Sequence, residues 1–372
     1  MTINILVTGA GGALAHTVIK ALNQSSLDFR LFTTNSLTWG AALYVGERGF
    51  LVPQAKDDGY IPAIIGVCKK CSIDVLLVGT DHEILKLSRH RHDIERESGA
   101  KVIVCDPETL TIGYDKWVTV EFLRRNNLDF PCTVLAEDIR GVRNMTGELG
   151  FPIVVKPRSS SGSKGFFIAR DEEDLRFATR NPEGLVVQEY LQGEDEEYTV
   201  GVVVSRSGDV LGSIGMKRVL LHGLTIAAVV DRYPKVQSYA EEIARKMRPC
   251  GVCNVQLRRT PRGPVCFEIN PRFSSTDGQR AAYGFNAVEA VIRNYVLGED
   301  GIDLSHYRRG FFARYWDELY VPIEDYEKFC ETGETGASGA SVIPEVLTRK
   351  RETKGAALSA SSLVDAWWND EG

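Results

Sequence analysis

The sequence predicts an α/β N-terminal domain on a doubly wound parallel sheet, followed by an α+β half, on three observations. In the first hundred residues, strand-sized apolar runs alternate with segments of helical spacing. After Pro107 the pattern turns to helices and short strands, and from Tyr198 the strands lengthen and follow one another directly. The chain has 372 residues, enough for two to three domains. Apolar residues make up 43% and charged residues 25%, which excludes wholesale disorder.

Residues 3–8 read as a strand, the glycines after it as a turn, and 14–22 as a helix with Leu14, Val18 and Leu22 on one face. Further βα units are expected at 29–34, at 61–71 leading into 74–79, and at 83–97 leading into 101–105. Asp115 stands as N-cap of a helix over 116–126, and a Pro-containing strand follows at 131–135. Next come a helix after 138, strands at 153–156 and 166–169 around a Ser/Gly loop, a helix at 172–179 and a strand at 185–189. Strands at 198–205, 209–217 and 224–230, a helix at 235–247, and strands at 252–259 and 264–270 joined by Thr-Pro-Arg-Gly-Pro predict an antiparallel sheet with a packed helix. Helical spacing resumes at 287–297, and a short strand is expected at 311–315. Beyond 331 the chain is rich in Gly, Ala, Ser and Thr, which predicts a weakly ordered or docking tail. The expected domains are therefore 1–112, 113–190 and 191–330, with a tail at 331–372.

Lys+Arg 44 against Asp+Glu 50 leaves a net charge of −6, and no basic tract offsets it, so nucleic acid and anionic membranes are excluded as partners. The apolar runs are too short for a membrane helix and Met-Thr-Ile-Asn-Ile lacks a basic signal-peptide start, so a cytoplasmic protein is expected. Eight cysteines are too dilute for a disulfide scaffold. Cys68/Cys71 and Cys250/Cys253 could together close a zinc site, but buried small hydrophobes are the favoured reading. His16, His82, His90 and His92 fall on helix faces and are not read as ligands.

Three motifs could carry chemistry. Gly9-Ala-Gly-Gly-Ala-Leu-Ala15 resembles a dinucleotide-binding turn, yet the acidic residue expected at the end of the second strand is missing, since Leu31-Phe-Thr-Thr-Asn35 offers Thr and Asn. A tight turn without nicotinamide is expected there. Val-Val-Lys156-Pro delivers a lysine into the loop Ser161-Gly162-Ser163-Lys164-Gly165, whose small residues can wrap a polyphosphate. In Asn254-Val-Gln256 and Glu268-Ile-Asn270-Pro-Arg272, strand alternation puts a carboxylate and amides on one face, a donor set that suits Mg²⁺ shared with nucleotide phosphates. Arg272 beyond it could clamp a transferring phosphoryl group.

The ordered set Lys116, Lys156, the Ser/Gly loop, Gln188-Glu189-Tyr190-Leu191 with the acidic run through Glu197, Gln256 and Glu268-Ile-Asn270-Pro-Arg272 resembles the ATP-grasp superfamily. The nearest resemblance is to the ATP-grasp units of carbamoyl-phosphate synthetase large subunits, over about residues 1–300, the first domain being similar to a pre-ATP-grasp domain. The resemblance implies a two-subdomain ATP-grasp fold, ATP and one or two Mg²⁺ ions as cofactors, and a homodimer. It also implies that Lys116, Lys156, Ser161, Gly162, Ser163, Gly165, Glu189, Tyr190 and Leu191 line the ATP site, with Glu197 or Glu196 on the ribose. Gln256, Glu268 and Asn270 would hold the metal, Gln256 standing where many members have an acid, which weakens a second ion. Arg272, Lys164 and Lys217 would act on the reacting groups.

The activity expected is activation of a small-molecule carboxylate by ATP and coupling to an amine, with Arg218, Arg280, Asp81 and Glu83 as substrate-wall candidates. Three rivals stay open: formation of an acyl or carbamoyl phosphate without an amine, a nicotinamide oxidoreductase using the Gly9 turn, and a silent nucleotide-binding protein.

Overall fold

A computed structural model describes residues 2–159, 164–192, 196–221, 223–315 and 318–336, whose strands form three sheets. The first contains β1 (Ile3–Val7), β2 (Phe29–Asn35), β3 (Arg48–Leu51), β4 (Val75–Leu77) and β5 (Lys101–Ile103). They are parallel and ordered β3-β2-β1-β4-β5. Helices α1 (Ala13–Leu22), α2 (Tyr60–Lys70), α3 (Asp81–Arg89) and α4 (Arg91–Ser98) complete this unit. Ile3, Ile5 and Val7 enter a core shared with α1, while Leu6 enters another with α2 and α3, so both sheet faces are buried and the strands read as continuous apolar runs.

The strand order reverses between β1 and β4, which opens a crevice at their C-terminal ends. Gly9 turns there with φ +63°, and a Cβ on it would fall 2.5 Å from Thr80 Cγ2. Only glycine lets the β1–α1 and β4–α3 turns touch. The helix expected over 83–97 is broken at His90 into α3 and α4, and β3 was not anticipated because Arg-Gly-Phe-Leu is short and carries a glycine.

After α5 (Pro107–Tyr114) and α6 (Lys116–Arg125), the second sheet is antiparallel and ordered β6-β9-β7-β8, from β6 (Thr133–Leu135), β7 (Ile153–Pro157), β8 (Phe167–Ala169) and β9 (Leu185–Glu189). Helices α7 (Ile139–Leu149) and α8 (Glu172–Ala178) accompany it. As expected, Asp115 caps α6, accepting from the N–H groups of Trp117 and Val118.

The third sheet contains β10 (Glu197–Val204), β11 (Val210–Leu221), β12 (Leu224–Asp231), β13 (Val252–Thr260), β14 (Gly263–Asn270) and β15 (Gly310–Ala313), ordered β14-β13-β10-β11-β12-β15 and antiparallel. Helix α9 (Pro234–Met247) buries Val236, Ala240 and Ile243 against Val200, Val202, Val255 and Leu257 on one face of it. Helices α10 (Asp277–Ala282) and α11 (Ala287–Tyr295) pack on α1, which ties the third sheet to the first.

Helix α12 (Ile323–Thr332) returns to the first sheet, where Phe329 meets Tyr44 edge-on at 5.6 Å between ring centroids. Glu334 pairs with Arg48 and Lys70, and Thr335 accepts from the Gly49 N–H. Residues 331–336, expected to begin the tail, thus dock at the β3 edge, and 337–372 lie outside the described residues. Among the described residues no helix is long and apolar enough to cross a membrane.

Candidate active site at the junction of the first and third sheets

Antiparallel pairing of β13 with β14 sets Asn254 opposite Asn270 and Gln256 opposite Glu268. Alternation sends Cys253, Val255, Leu257 and Ile269 into the α9 core and the four polar side chains to the other face. Glu268 Oε1 accepts from Gln256 Nε2 at 3.1 Å and from Asn270 Nδ2 at 2.8 Å. Arg272 donates to Asn270 Oδ1 at 3.1 Å and grips Asp81 through Nε at 2.7 Å and Nη2 at 3.2 Å. Tyr114 also donates to Asp81, at 2.6 Å. Burial pushes the Asp81 carboxyl up, but Arg272 and Tyr114 outweigh it and hold the group below its ordinary value. Arg272 thereby locks the first residue of α3 to the end of β14.

Lys156 on β7 and Lys116 at the start of α6 are each 7% exposed. Burial lowers Lys156 to about 8, with Glu268 opposing the fall and Lys116 adding to it. Lys116 is lowered by burial as well, again against the pull of Glu268. Two lysines and one carboxylate therefore share a dry corner with an excess positive charge, which a polyphosphate would neutralise. Arg158 completes the corner from outside, its guanidinium 2.6 Å from the Asp115 carboxylate.

A cavity of about 260 Å³ opens beside this cluster, lined by Lys116, Glu268, Asn270 and Arg272 on one side and by the turns at Gly12–Leu14 and Gly79–His82 on the other. Thr199, Arg218, Thr225, Ser274 and Ser275 close it. One carboxylate and two side-chain amides supply hard oxygen donors on adjacent strands, with Gln256 Oε1 and Asn270 Oδ1 accepting from Arg218 and Arg272. The residues present therefore fit Mg²⁺ of low protein charge, completed by water and phosphate.

The structure brings some expected residues to this face and not others. Arg218 reaches it, donating to Gln256 Oε1 at 2.6 Å and to Glu197 Oε1 at 2.7 Å, while Arg258, which sequence reading missed, holds Glu197 Oε2 at 2.8 Å. Glu197 shares the face of Gln256, whereas Glu196 alternates away and binds Tyr198 and Arg259. Lys217 is not brought in: it pairs with Tyr198 on the opposite face and lies 3.8 Å from Glu196. Arg280 is 1% exposed and sits behind the wall as a strut, bonded to Asp277 at 2.9 Å and Asn254 at 2.6 Å. Glu83 is 6% exposed within the α2–α3 core, where burial raises its carboxyl to about 7.

Lys164 is exposed beside Gly165, and Ser161, Gly162 and Ser163 lie outside the described residues. Glu189 accepts from the Cys132 N–H at 2.9 Å and from Arg262 at 2.7 Å, and the Leu191 carbonyl accepts from Arg258 at 3.4 Å. Tyr190 follows β9 in the same connection. Tyr114 was also missed, although it stands two residues before Lys116 in the same motif. At the Gly9 turn, the place of the nicotinamide-specifying acid is taken by Asn35, whose amide bonds the Leu37 carbonyl at 2.8 Å. Cys68, Cys71 and Cys253 are buried, and among the described residues no cluster of three or more His, Cys, Asp or Glu could hold a metal.

Comparison with known proteins matches residues 181–318 to a model described as ATP-grasp in the biosynthetic pathway with Ter operon, and residues 4–103 to a PylC-like N-terminal domain. The carbamoyl phosphate synthase large chain of Pyrococcus furiosus is 21% identical over 93% of this chain and 35% of its own length. That of Archaeoglobus fulgidus is 25% identical over 48% of this chain and 18% of its own. The chain thus spans about a third or less of these relatives. N5-carboxyaminoimidazole ribonucleotide synthetase from Thermus thermophilus superposes with a TM-score of 0.67 at 16% identity, over 87% of this chain and 86% of that one. The biotin carboxylase domain of Hydrogenobacter thermophilus 2-oxoglutarate carboxylase, solved with MgADP and bicarbonate, gives 0.64 at 17%, over 86% and 79%. The chain has the ATP-grasp fold and is related to the large chains of carbamoyl phosphate synthase.

Proposed function

We propose that this chain is a Mg-ATP-dependent ligase that activates a small-molecule carboxylate as an acyl phosphate and couples it to an amine, releasing ADP and phosphate. The observation that carries this reading is the register of β13 on β14, which opposes Gln256 to Glu268 and Asn254 to Asn270, with Arg272 at the strand end and two buried lysines beside Glu268. A carboxylate is a poor acyl donor because its leaving group would be oxide, and phosphorylation turns that oxygen into part of a phosphate leaving group. In this reading Lys156 and Lys116 hold the phosphates, Arg272 steadies charge on the transferred group, and Glu189, Tyr190, Leu191 and Glu197 seat the nucleoside. Gln256, Glu268 and Asn270 would hold Mg²⁺, which when bound supplies charge neutralisation at the phosphate oxygens. Arg272 is kept in place by Asp81, so the first sheet takes part in aligning the reacting groups. The loop containing Ser161, Gly162, Ser163, Lys164 and Gly165 belongs to the phosphate site in this reading, and a homodimer is its assembly.

A second reading, formation of an acyl or carbamoyl phosphate without an amine, is favoured by the carbamoyl phosphate synthase relatives. ADP release is measured with pooled carboxylic acids, with and without pooled amines. Release that needs both pools is expected of the ligase. Release with acids or bicarbonate alone overturns the amine-coupling step in favour of the second reading.

A further inference from the structure

The cavity has an end that the ATP reading leaves unused: the glycine turn before α1, the β11–β12 hairpin at Thr225, and Ser275 ahead of α10. Helix α1 is ten residues long and starts at Ala13, and Gly12 before it, at the N-cap, offers no side-chain cap. The N–H of Ala15 bonds the Gly79 carbonyl and that of His16 bonds Gly12, but among the described residues those of Ala13 and Leu14 meet no acceptor, and both residues line the cavity. Thr225 also lines it, is 3% exposed, and its hydroxyl has no hydrogen-bond partner among the described residues.

Behind this wall stands Arg314, a cation that pairs with no carboxylate among the described residues. The Arg314 backbone N–H bonds the carbonyl of Ile226, next to Thr225, and its guanidinium donates to the carbonyl of Ser275. Its Nε is buried with no partner among the described residues, and burial alone, with no carboxylate opposing it, lowers its pKa. Helix α10, just after Ser275, touches α1 through Gly278 N–H on Thr17 Oγ1 at 2.6 Å, so the Ser275 turn that Arg314 holds packs beside α1, and Ala13, Leu14, Thr225 and Ser275 line one cavity. The two carboxylates lining the cavity are engaged elsewhere, Asp81 by Arg272 and Glu268 by the two amides. Unpaired donors, a helix N-terminus and a guanidinium held behind the wall with no carboxylate partner among the described residues all favour negative charge.

We propose that this end of the cavity is an oxyanion subsite, so that a substrate of this protein carries a carboxylate or phosphate group there in addition to the group that reacts beside Arg272. The inference rests on the ligase reading for the word substrate, and on the geometry alone for the anion.

Three substitutions test it with little risk to the fold. Ala13→Pro deletes one N–H at the first helical position, where proline is tolerated, and Gly12 before it already has the extended φ −95°, ψ 152° that a residue preceding proline adopts. Thr225→Val removes the hydroxyl at nearly constant volume, and Arg314→Gln removes the charge. Inorganic phosphate and acetate are titrated separately into the Mg-ADP-loaded protein, with binding followed by calorimetry. The parent is expected to bind one of the two, which names the anion, and each substitution is expected to weaken it by about tenfold or more. No anion binding by the parent, or binding that all three variants retain unchanged, overturns the subsite. A parent that fails to take up Mg-ADP refutes the ATP reading instead, and the same anion titration on the free protein then still decides the subsite.

Discussion

At the scale of single residues, Lys156 and Glu83 are two buried ionisable groups with opposite pH signatures. Lys156 falls to about 8 in the folded protein from 10.5, so between these values the unfolded chain binds more protons and the destabilising effect of burying this charge fades as pH rises. Nucleotide phosphates favour the charged lysine, so Mg-ADP affinity is expected to drop about tenfold from pH 7 to pH 9, and Lys156→Arg to remove that drop. Equal slopes in calorimetric titrations would refute the phosphate role. Glu83 rises from 4.5 to about 7, so the folded state binds more protons within that window and stability falls as pH rises through it. Glu83→Gln is expected to flatten the urea-denaturation stability between pH 4.5 and 7, where the parent loses on the order of 2–3 kcal/mol. The convergence of Asn254, Gln256, Glu268 and Asn270 was legible from alternation alone. That Lys217 turns away while Arg218 turns in was not, because it depends on where β11 pairs with β10. Burial of Arg280 and Glu83 comes from partners distant in sequence, which no local pattern reveals.

At the scale of elements, the sheet that carries the site depends on close approach across β10. Gly201 faces Asn254 across the ladder, and a Cβ there would lie 2.4 Å from the Arg280 guanidinium. That guanidinium cannot retreat without releasing Asp277 and Asn254. Gly201→Ala is expected to destabilise the protein by about 1–3 kcal/mol, read as a lowered melting temperature, while the same change at exposed Gly147 on α7 should not. Strand and helix order was readable because both elements have strong periods here: apolar runs where helices cover both faces of a strand, and helical spacing in α1 and α9. The break at His90 and strand β3 escaped, since each is decided by what packs on it rather than by its own few residues.

At the scale of the whole molecule, the cavity exists because the C-terminal edge of a parallel sheet meets the polar face of an antiparallel one. The Asp81–Arg272 pair, the Gly278–Thr17 bond and the Asn286 amide on the Ala21 carbonyl at 2.8 Å join the two. The alternation of βα units followed by long consecutive strands predicted both layers, but not that residues 323–335 return to the β3 edge, because that docking is decided by Tyr44, Arg48, Gly49 and Lys70, partners far away in sequence. The most direct measurement is Mg²⁺-dependent ADP release with pooled carboxylic acids and amines, by the parent and by Glu268→Ala, with circular dichroism confirming that both are folded. The parent is expected to release ADP only with Mg²⁺ and substrate, and the variant to be at least about a hundredfold slower. Release that is equal in the two proteins, or independent of Mg²⁺, would contradict a phosphoryl-transfer site built on β13 and β14.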